Sequence, residues 1–273
     1  MEDRTRLGRG LEEISQLYLS DRPRDPALRE RRHEKTALRR TIIRILYPTS
    51  PALKSCLAAN FALELAKGRH PVTIRDGFEG KGVYDMLRQM ADLDLNPGAA
   101  TVRLYGLPDI VVYPFDAQQE RLPEGGAAEM HPVEKGGCML LNLSDTLESV
   151  VQGEVFFDAV LMTGVDEASL LQCYAFIKVI WEREASIRVH IVVDNPGTEA
   201  CGHEIFSRLS GFVKAKLSGD LNLLGFLMHD DLLEKSMSEH KPLVLSHEHS
   251  AARESIIAVA RAFQQTMQMK SAR

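Results

Sequence analysis

The feature that most constrains this chain is a recurring alternation. Short apolar runs rich in β-branched residues stand at 41–47 (TIIRILY), 71–76 (PVTIRD), 109–115 (DIVVYPF), 137–143 (GCMLLNL), 156–162 (FFDAVLM) and 187–193 (IRVHIVV). Runs of this length suit strands buried on both faces. Between several of them lie stretches with helical apolar spacing, at 55–68, 169–184 and 200–217. Strand–helix–strand repetition demands right-handed crossovers and a parallel sheet covered by helices. We therefore expect an α/β fold of three layers, with a Rossmann-like parallel sheet flanked by helices. Gly225-Phe226 and Leu243-Val244 sit in further short apolar segments. Residues 251–270 read as a final helix with Ile256, Val259, Ala260, Phe263 and Met267 on one face.

Residues 1–40 break this pattern. They hold 11 Lys and Arg against 8 Asp and Glu, a net of +3, so the other 233 residues carry −8. Leu11, Ile14, Leu17 and Tyr18 recur at helical spacing ahead of a charged stretch from residue 21. The expected organisation is an amphipathic helix and charged tether over 1–40, then one domain over 41–273. Two readings of the helix stand side by side: it packs on its own domain, or it docks in a partner's groove. Arg29, Arg31, Arg32, Lys35, Arg39 and Arg40 alternate with acids, as in a solvated tether.

The 273-residue chain is 44% hydrophobic and 26% charged, with a net charge of −5, which excludes collagen-like and wholly disordered classes and does not advertise a nucleic-acid binder. No apolar run reaches the roughly 20 residues of a membrane span. The first residues lack the basic-then-apolar form of a signal peptide. Cys56, Cys138, Cys173 and Cys201 are scattered and form no CxxC, which suits a reducing cytosol. The expected location is cytoplasmic, with peripheral contact to the inner membrane as the open extension.

In open α/β folds, chemistry concentrates at the carboxyl ends of the strands. The first connection reads Pro48-Thr-Ser-Pro-Ala-Leu-Lys54-Ser55, with a helix expected to open near Lys54. A strand, a short loop, then Lys-Ser opening a helix is the layout of a phosphate-binding loop. On these residues the chain resembles the MinD/ParA family of P-loop ATPases, and within it the flagellar-number regulators of the FlhG/FleN type. The family's loop has the form KGGxGK[ST], matched here by Thr49–Ser55. Residues 158–180 (DAVLMTGVDEASLLQCYAFIKVI) resemble the family's VLVVTTPEPTSLTDAYALIKVL pattern without gaps. A third likeness runs through 204–213, 221–245 and 250–260. The resemblance spans roughly 41–265 and is weakest at 77–136. It implies a P-loop NTPase sheet.

The same likeness shows what has been lost. Thr49 stands where the family has its signature lysine. Ser50 and Pro51 replace paired glycines, and Pro51 has no N–H to offer a phosphate. Leu53 replaces the last glycine, where a leucine would carry about 1–3 kcal/mol of strain if the loop kept its form. Lys54 and Ser55 survive. Asp76 matches the first acid of the family's DxD, and Phe78 stands at the second. Asn142 replaces the Mg²⁺-associated aspartate and offers no anionic charge. Asp194 stands where the family places an adenine-contacting asparagine, and an ionised aspartate only accepts hydrogen bonds.

The resemblance thus implies a pseudo-ATPase whose vestigial nucleotide site is Lys54, Ser55, Asp76, Asn142 and Asp194. No catalytic residue, metal or cofactor is expected, and ATP with Mg²⁺ only if that site still binds. The implied role is regulation or scaffolding for a cell-envelope machine, with the flagellum first. Its partners would be proteins of that machine, engaged through Leu11, Ile14, Leu17 and Tyr18. A homodimer, or a heterodimer with an active paralogue, is the other implied association. Two alternatives stay open: an active divergent ATPase using Lys54, Ser55 and Asp76, and an assembly factor for a pilus or polysaccharide exporter. DNA partitioning fits the −8 balance of the domain poorly.

Other constellations are weaker. Gly77–Gly82 is glycine-rich but lacks the GxxxxGK[ST] spacing. His240, His247, Glu248 and His249 suggest a polar loop rather than a metal site. Cys201 and His203 have no orienting partner to make a nucleophile. Asp230 and Asp231 suit a helix cap. The last helix reads as core packing rather than a membrane anchor.

Overall fold

The structure, a computed structural model, describes residues 41–47, 49–68, 70–77, 82–87, 92–96, 99–103, 110–113, 137–152, 156–246 and 249–271. Leu11, Ile14, Leu17, Tyr18, Phe78, His247 and Glu248 lie outside them. The strands are β1 Thr41–Leu46, β2 Val72–Asp76, β3 Asp92–Asn96, β4 Ala99–Arg103, β5 Ile110–Tyr113, β6 Cys138–Asn142, β7 Asp158–Thr163, β8 Arg188–Asp194 and β9 Asn222–Leu227. The helices are α1 Pro51–Lys67, α2 Val83–Leu87, α3 Leu147–Gln152, α4 Glu167–Arg183, α5 Glu199–Leu217, α6 Asp231–Glu239 and α7 Ala251–Ser271. Leu243–Leu245 form one 3₁₀ turn.

The strands form one sheet in the order β3-β4-β5-β2-β6-β1-β7-β8-β9. Seven of them, from β5 to β9 in that order, are parallel. Burial follows position. The central strands β6 and β7 are buried at every residue. The flanking β2 and β5 alternate, as strands with one less-covered face do.

Two layers cover the sheet. One core gathers α1, α2, α6 and α7, with Phe61 and Phe263 edge to face at 5.3 Å. The other gathers α3, α4 and α5 around Leu170, Tyr174, Ile177 and Trp181. Ile256, Val259, Ala260, Phe263 and Met267 of α7 are all buried, as their spacing predicts. No helix among the described residues is long and apolar enough to cross a membrane.

Two regions differ from the sequence expectation. The region weakest in resemblance contains β3 and β4, which pair antiparallel with each other and, through β4, with β5. Its signal was present: Asp-Leu-Asp-Leu-Asn alternates, and Asn96-Pro97-Gly98 marks a turn. Each strand has five residues, one alternating Asp and Leu and the other reading Ala-Ala-Thr-Val-Arg, so no long apolar run announces them. Secondly, α1 opens at Pro51, three residues before Lys54. Ser50 caps it, its Oγ accepting the Leu53 N–H at 3.3 Å, and proline at the first helical position is pre-set for that place.

Candidate functional site: the carboxyl edge of the sheet

The early start of α1 decides what the first connection can do. A phosphate cradle needs backbone N–H groups pointing into an open loop. Here the Leu53 N–H goes to Ser50 Oγ, and the Lys54 N–H goes to the Ser50 carbonyl at 3.0 Å. Pro51 has none. Leu53 is helical and packed in the core, 4% exposed. The strain expected of a leucine in a glycine position is absent, because the loop conformation itself is gone. Positive φ among described non-glycine residues occurs only at Asn195, Ser218 and His240.

Lys54 is fully buried. Its Nζ donates to the Leu143 carbonyl at 2.6 Å and pairs with Asp145 Oδ1 at 2.8 Å. The other Asp145 oxygen accepts the Tyr47 N–H at 2.8 Å. Burial pushes the Lys54 ammonium below its usual pKa, and the Asp145 carboxylate opposes that shift. The side chain that reaches phosphates in a working P-loop is here held by a carboxylate of its own chain. Sequence reasoning missed Asp145. It resembles a helix cap, but Thr146 takes that role through Ser149 N–H, leaving Asp145 to face the lysine.

A second charge pins the same connection. Arg44, fully buried on β1, donates to the Ser144 carbonyl at 2.8 Å, the Ser149 carbonyl at 3.2 Å and Ser149 Oγ at 2.9 Å. It was the one charge in the run TIIRILY. A charge in a strand buried on both faces must find partners, and that signal was available.

Ser55, Asp76 and Asn142 do come together. Asn142 Nδ2 donates to Ser55 Oγ at 3.0 Å and to Asp76 Oδ1 at 2.8 Å. The other Asp76 oxygen accepts the Tyr84 N–H at 2.9 Å. An ionised carboxylate only accepts, so the atom facing Asp76 must be the amide nitrogen. That nitrogen lies between the hydroxyl and the carboxylate, where a donor cannot ligate a cation. Asn142 Oδ1 is buried without a hydrogen-bond partner. The residues present therefore do not fit Mg²⁺ with nucleotide phosphates.

Asp194 lies apart from this trio, at the end of β8. Its Oδ2 accepts the Tyr47 hydroxyl at 2.7 Å, and His229 Nε2 meets Oδ1 at 2.7 Å. Burial, with the Asp194 carboxylate adding to it, pushes the Tyr47 phenol up to about 12. An open cleft of about 420 Å³ adjoins this network, lined in part by Tyr47, Thr49, Val165, Asp166, Gln172 and Asp194. Asp166 caps α4, accepting from Ser169 N–H at 2.9 Å and Ser169 Oγ at 2.6 Å. Those bonds hold its carboxyl below the usual range.

The weaker constellations resolve simply. Asp230 caps α6 through Leu233 N–H and receives Ser250 Oγ and Ala252 N–H from the start of α7. His203 packs on Phe226 at 4.9 Å, two helical positions from the exposed Cys201. Among the described residues, no group of three or more His, Cys, Asp or Glu is placed to hold a metal ion. A different polar cluster, unforeseen in the sequence, lies at the opposite end of the sheet. There Arg188 and His190 both meet the buried Asp158, at 2.6 Å and 3.0 Å.

No family model matches the chain, and no curated protein does either. Solved structures do. The chain is similar to the MinD cell division protein of Aquifex aeolicus, with a TM-score of 0.64 and 16% identity over 82% of this chain and 97% of that one. It is similar to MinD complexed with Mg-ADP from Pyrococcus horikoshii, with a TM-score of 0.62 and 14% identity over 85% and 99%. It is also similar to the MinC:MinD cell division protein complex of Aquifex aeolicus, with a TM-score of 0.61 and 17% identity over 82% and 96%. At these identities the likeness is one of fold. The structural neighbours of this chain are MinD/ParA-type P-loop ATPases, and its parallel sheet flanked by helices is theirs.

Proposed function

We propose that this chain is a regulatory or scaffolding protein on a MinD/ParA-type fold that has lost ATP hydrolysis and acts by binding protein partners. One observation carries the reading: the nucleotide-facing groups are satisfied from within. Asp145 takes the lysine's charge, and the Asn142 amide nitrogen bridges Ser55 and Asp76. The machine it serves is one of the cell envelope, the flagellum first, and it works on the cytoplasmic side. The MinC:MinD complex is a precedent for protein partnership on this fold. Leu11, Ile14, Leu17 and Tyr18 are the proposed contact. A phosphate-release assay with Mg·ATP tests the loss of turnover. Wild type and Lys54→Ala should both stay at background. Turnover that Lys54→Ala abolishes would overturn the reading.

A further inference from the structure

Ser55, Asp76 and Asn142 come from three elements: α1, the end of β2 and the end of β6. All three are buried. A carboxylate shut away from water needs donors or a cation beside it. Asn142 Nδ2 is such a donor, 2.8 Å from Asp76 Oδ1 and 3.0 Å from Ser55 Oγ. The amide has one workable orientation, because turned over its oxygen would meet the carboxylate acceptor to acceptor. As it stands, Asn142 Oδ1 is buried with no hydrogen-bond partner. The two bonds of the nitrogen outweigh that unsatisfied oxygen.

The other carboxylate oxygen is closed off from the α2 side. Asp76 Oδ2 accepts the Tyr84 N–H at 2.9 Å. A Cβ on Gly82 would collide with the carboxylate, so glycine lets the chain pass this close. The Gly77 N–H goes to the Asn142 carbonyl at 2.8 Å. The connection from β2 to α2 is therefore tied near both ends to the same pair, Asp76 and Asn142.

We infer that the Asn142 amide nitrogen substitutes for a divalent cation in this chain, joining β2, β6, α1 and the start of α2 in a metal-independent way. A hard cation at this point would draw on the hydroxyl and carboxylate oxygens. The amide nitrogen has two hydrogens for the same two oxygens. The edge is then assembled in one state, indifferent to Mg²⁺, which suits a surface that binds proteins without a nucleotide cycle. The inference rests on the proposed reading of the chain as a binder that has lost turnover, and it names the residue that lets the site dispense with the ion.

Asn142→Asp tests it, on the full chain, with Mg²⁺ or Mn²⁺ alone and no nucleotide. The variant sets a second carboxylate beside Asp76, and like charges at that spacing call for a cation. Its thermal midpoint in chelator should fall by roughly 5 °C or more, and millimolar Mn²⁺ should restore at least about half of the loss. Wild type should shift by less than about 1 °C with either metal, and Asn142→Asp/Asp76→Asn should lose the metal response. Should the variant not fold, wild type carries the test: the Asn142 side-chain amide hydrogens should exchange slowly and keep their NMR shifts in millimolar Mg²⁺. Metal stabilisation of wild type as large as that of Asn142→Asp would overturn the inference. So would a stable Asn142→Asp indifferent to metal, its recovery by acid rather than metal, or a metal response that survives Asp76→Asn. Asn142 amide hydrogens that exchange fast or move with Mg²⁺ would overturn it as well. ATP turnover is read separately by phosphate release, so failure here is distinguishable from failure of the proposed function.

Discussion

At the carboxyl ends of β1, β2 and β6, charges are answered inside the chain. Lys54 meets Asp145, Arg44 meets the Ser144 and Ser149 carbonyls, and Asp76 meets Asn142. At the ends of β7 and β8 the edge stays open, and Asp166 and Asp194 border a cleft. Burial explains the contrast. A charge shut away from water must be paired or it destabilises the fold by several kcal/mol. Lys54, buried without access to water, needs an anion beside it, and Asp145 is one. The cleft half is more open, yet its acids too are held by neighbours, Asp194 by Tyr47 and His229 and Asp166 by Ser169.

Mutations should sort the two halves by size of effect. The largest is expected at Lys54. Lys54→Met strands Asp145, only 6% exposed, without its cation, and should cost about 3–5 kcal/mol in urea denaturation. Adding Asp145→Leu should recover much of that loss. Simple additivity of the two losses would break the pairing argument. Arg44→Leu comes next, at about 2–3 kcal/mol, because three acceptors of the 144–149 segment lose their donor. On the open side the effects should shrink. Tyr47→Phe removes one hydrogen bond to Asp194 and should cost about 1 kcal/mol by the same measurement.

The smallest effect is one of pH. For Asp230, burial pushes the carboxyl up, but bonds from Ser250, Ala252 and Leu233 more than offset it, leaving it below 3.8. Asp166 is lowered by Ser169. The folded protein then binds fewer protons than the unfolded chain just below that value, so stability falls as acid is added through the folded-state pKa values. It should be level above about pH 5 as far as these two groups are concerned. Asp230→Asn should make the acid limb shallower in pH-dependent thermal melts.

Much of the fold was legible because buried parallel strands write themselves as continuous apolar runs, and six of these were readable. β3 and β4 were not, since five-residue strands without a continuous run of large apolar residues look like loops. Of the site, the substitutions at Pro51, Leu53 and Asn142 were visible against the family's motif. Their consequences were not. A motif shows which residue has gone, whereas what fills its place comes from a residue such as Asp145, 91 positions from Lys54 in sequence. Tyr47, Asp194 and His229 meet for the same reason: three strand ends converge only once the sheet is built.

The central claim is that the nucleotide site is satisfied by the chain's own groups. Calorimetric titration of the full chain with Mg·ATP tests it most directly. The account predicts no saturable heat up to millimolar nucleotide. Saturable binding with a micromolar Kd, near −8 kcal/mol, would contradict it.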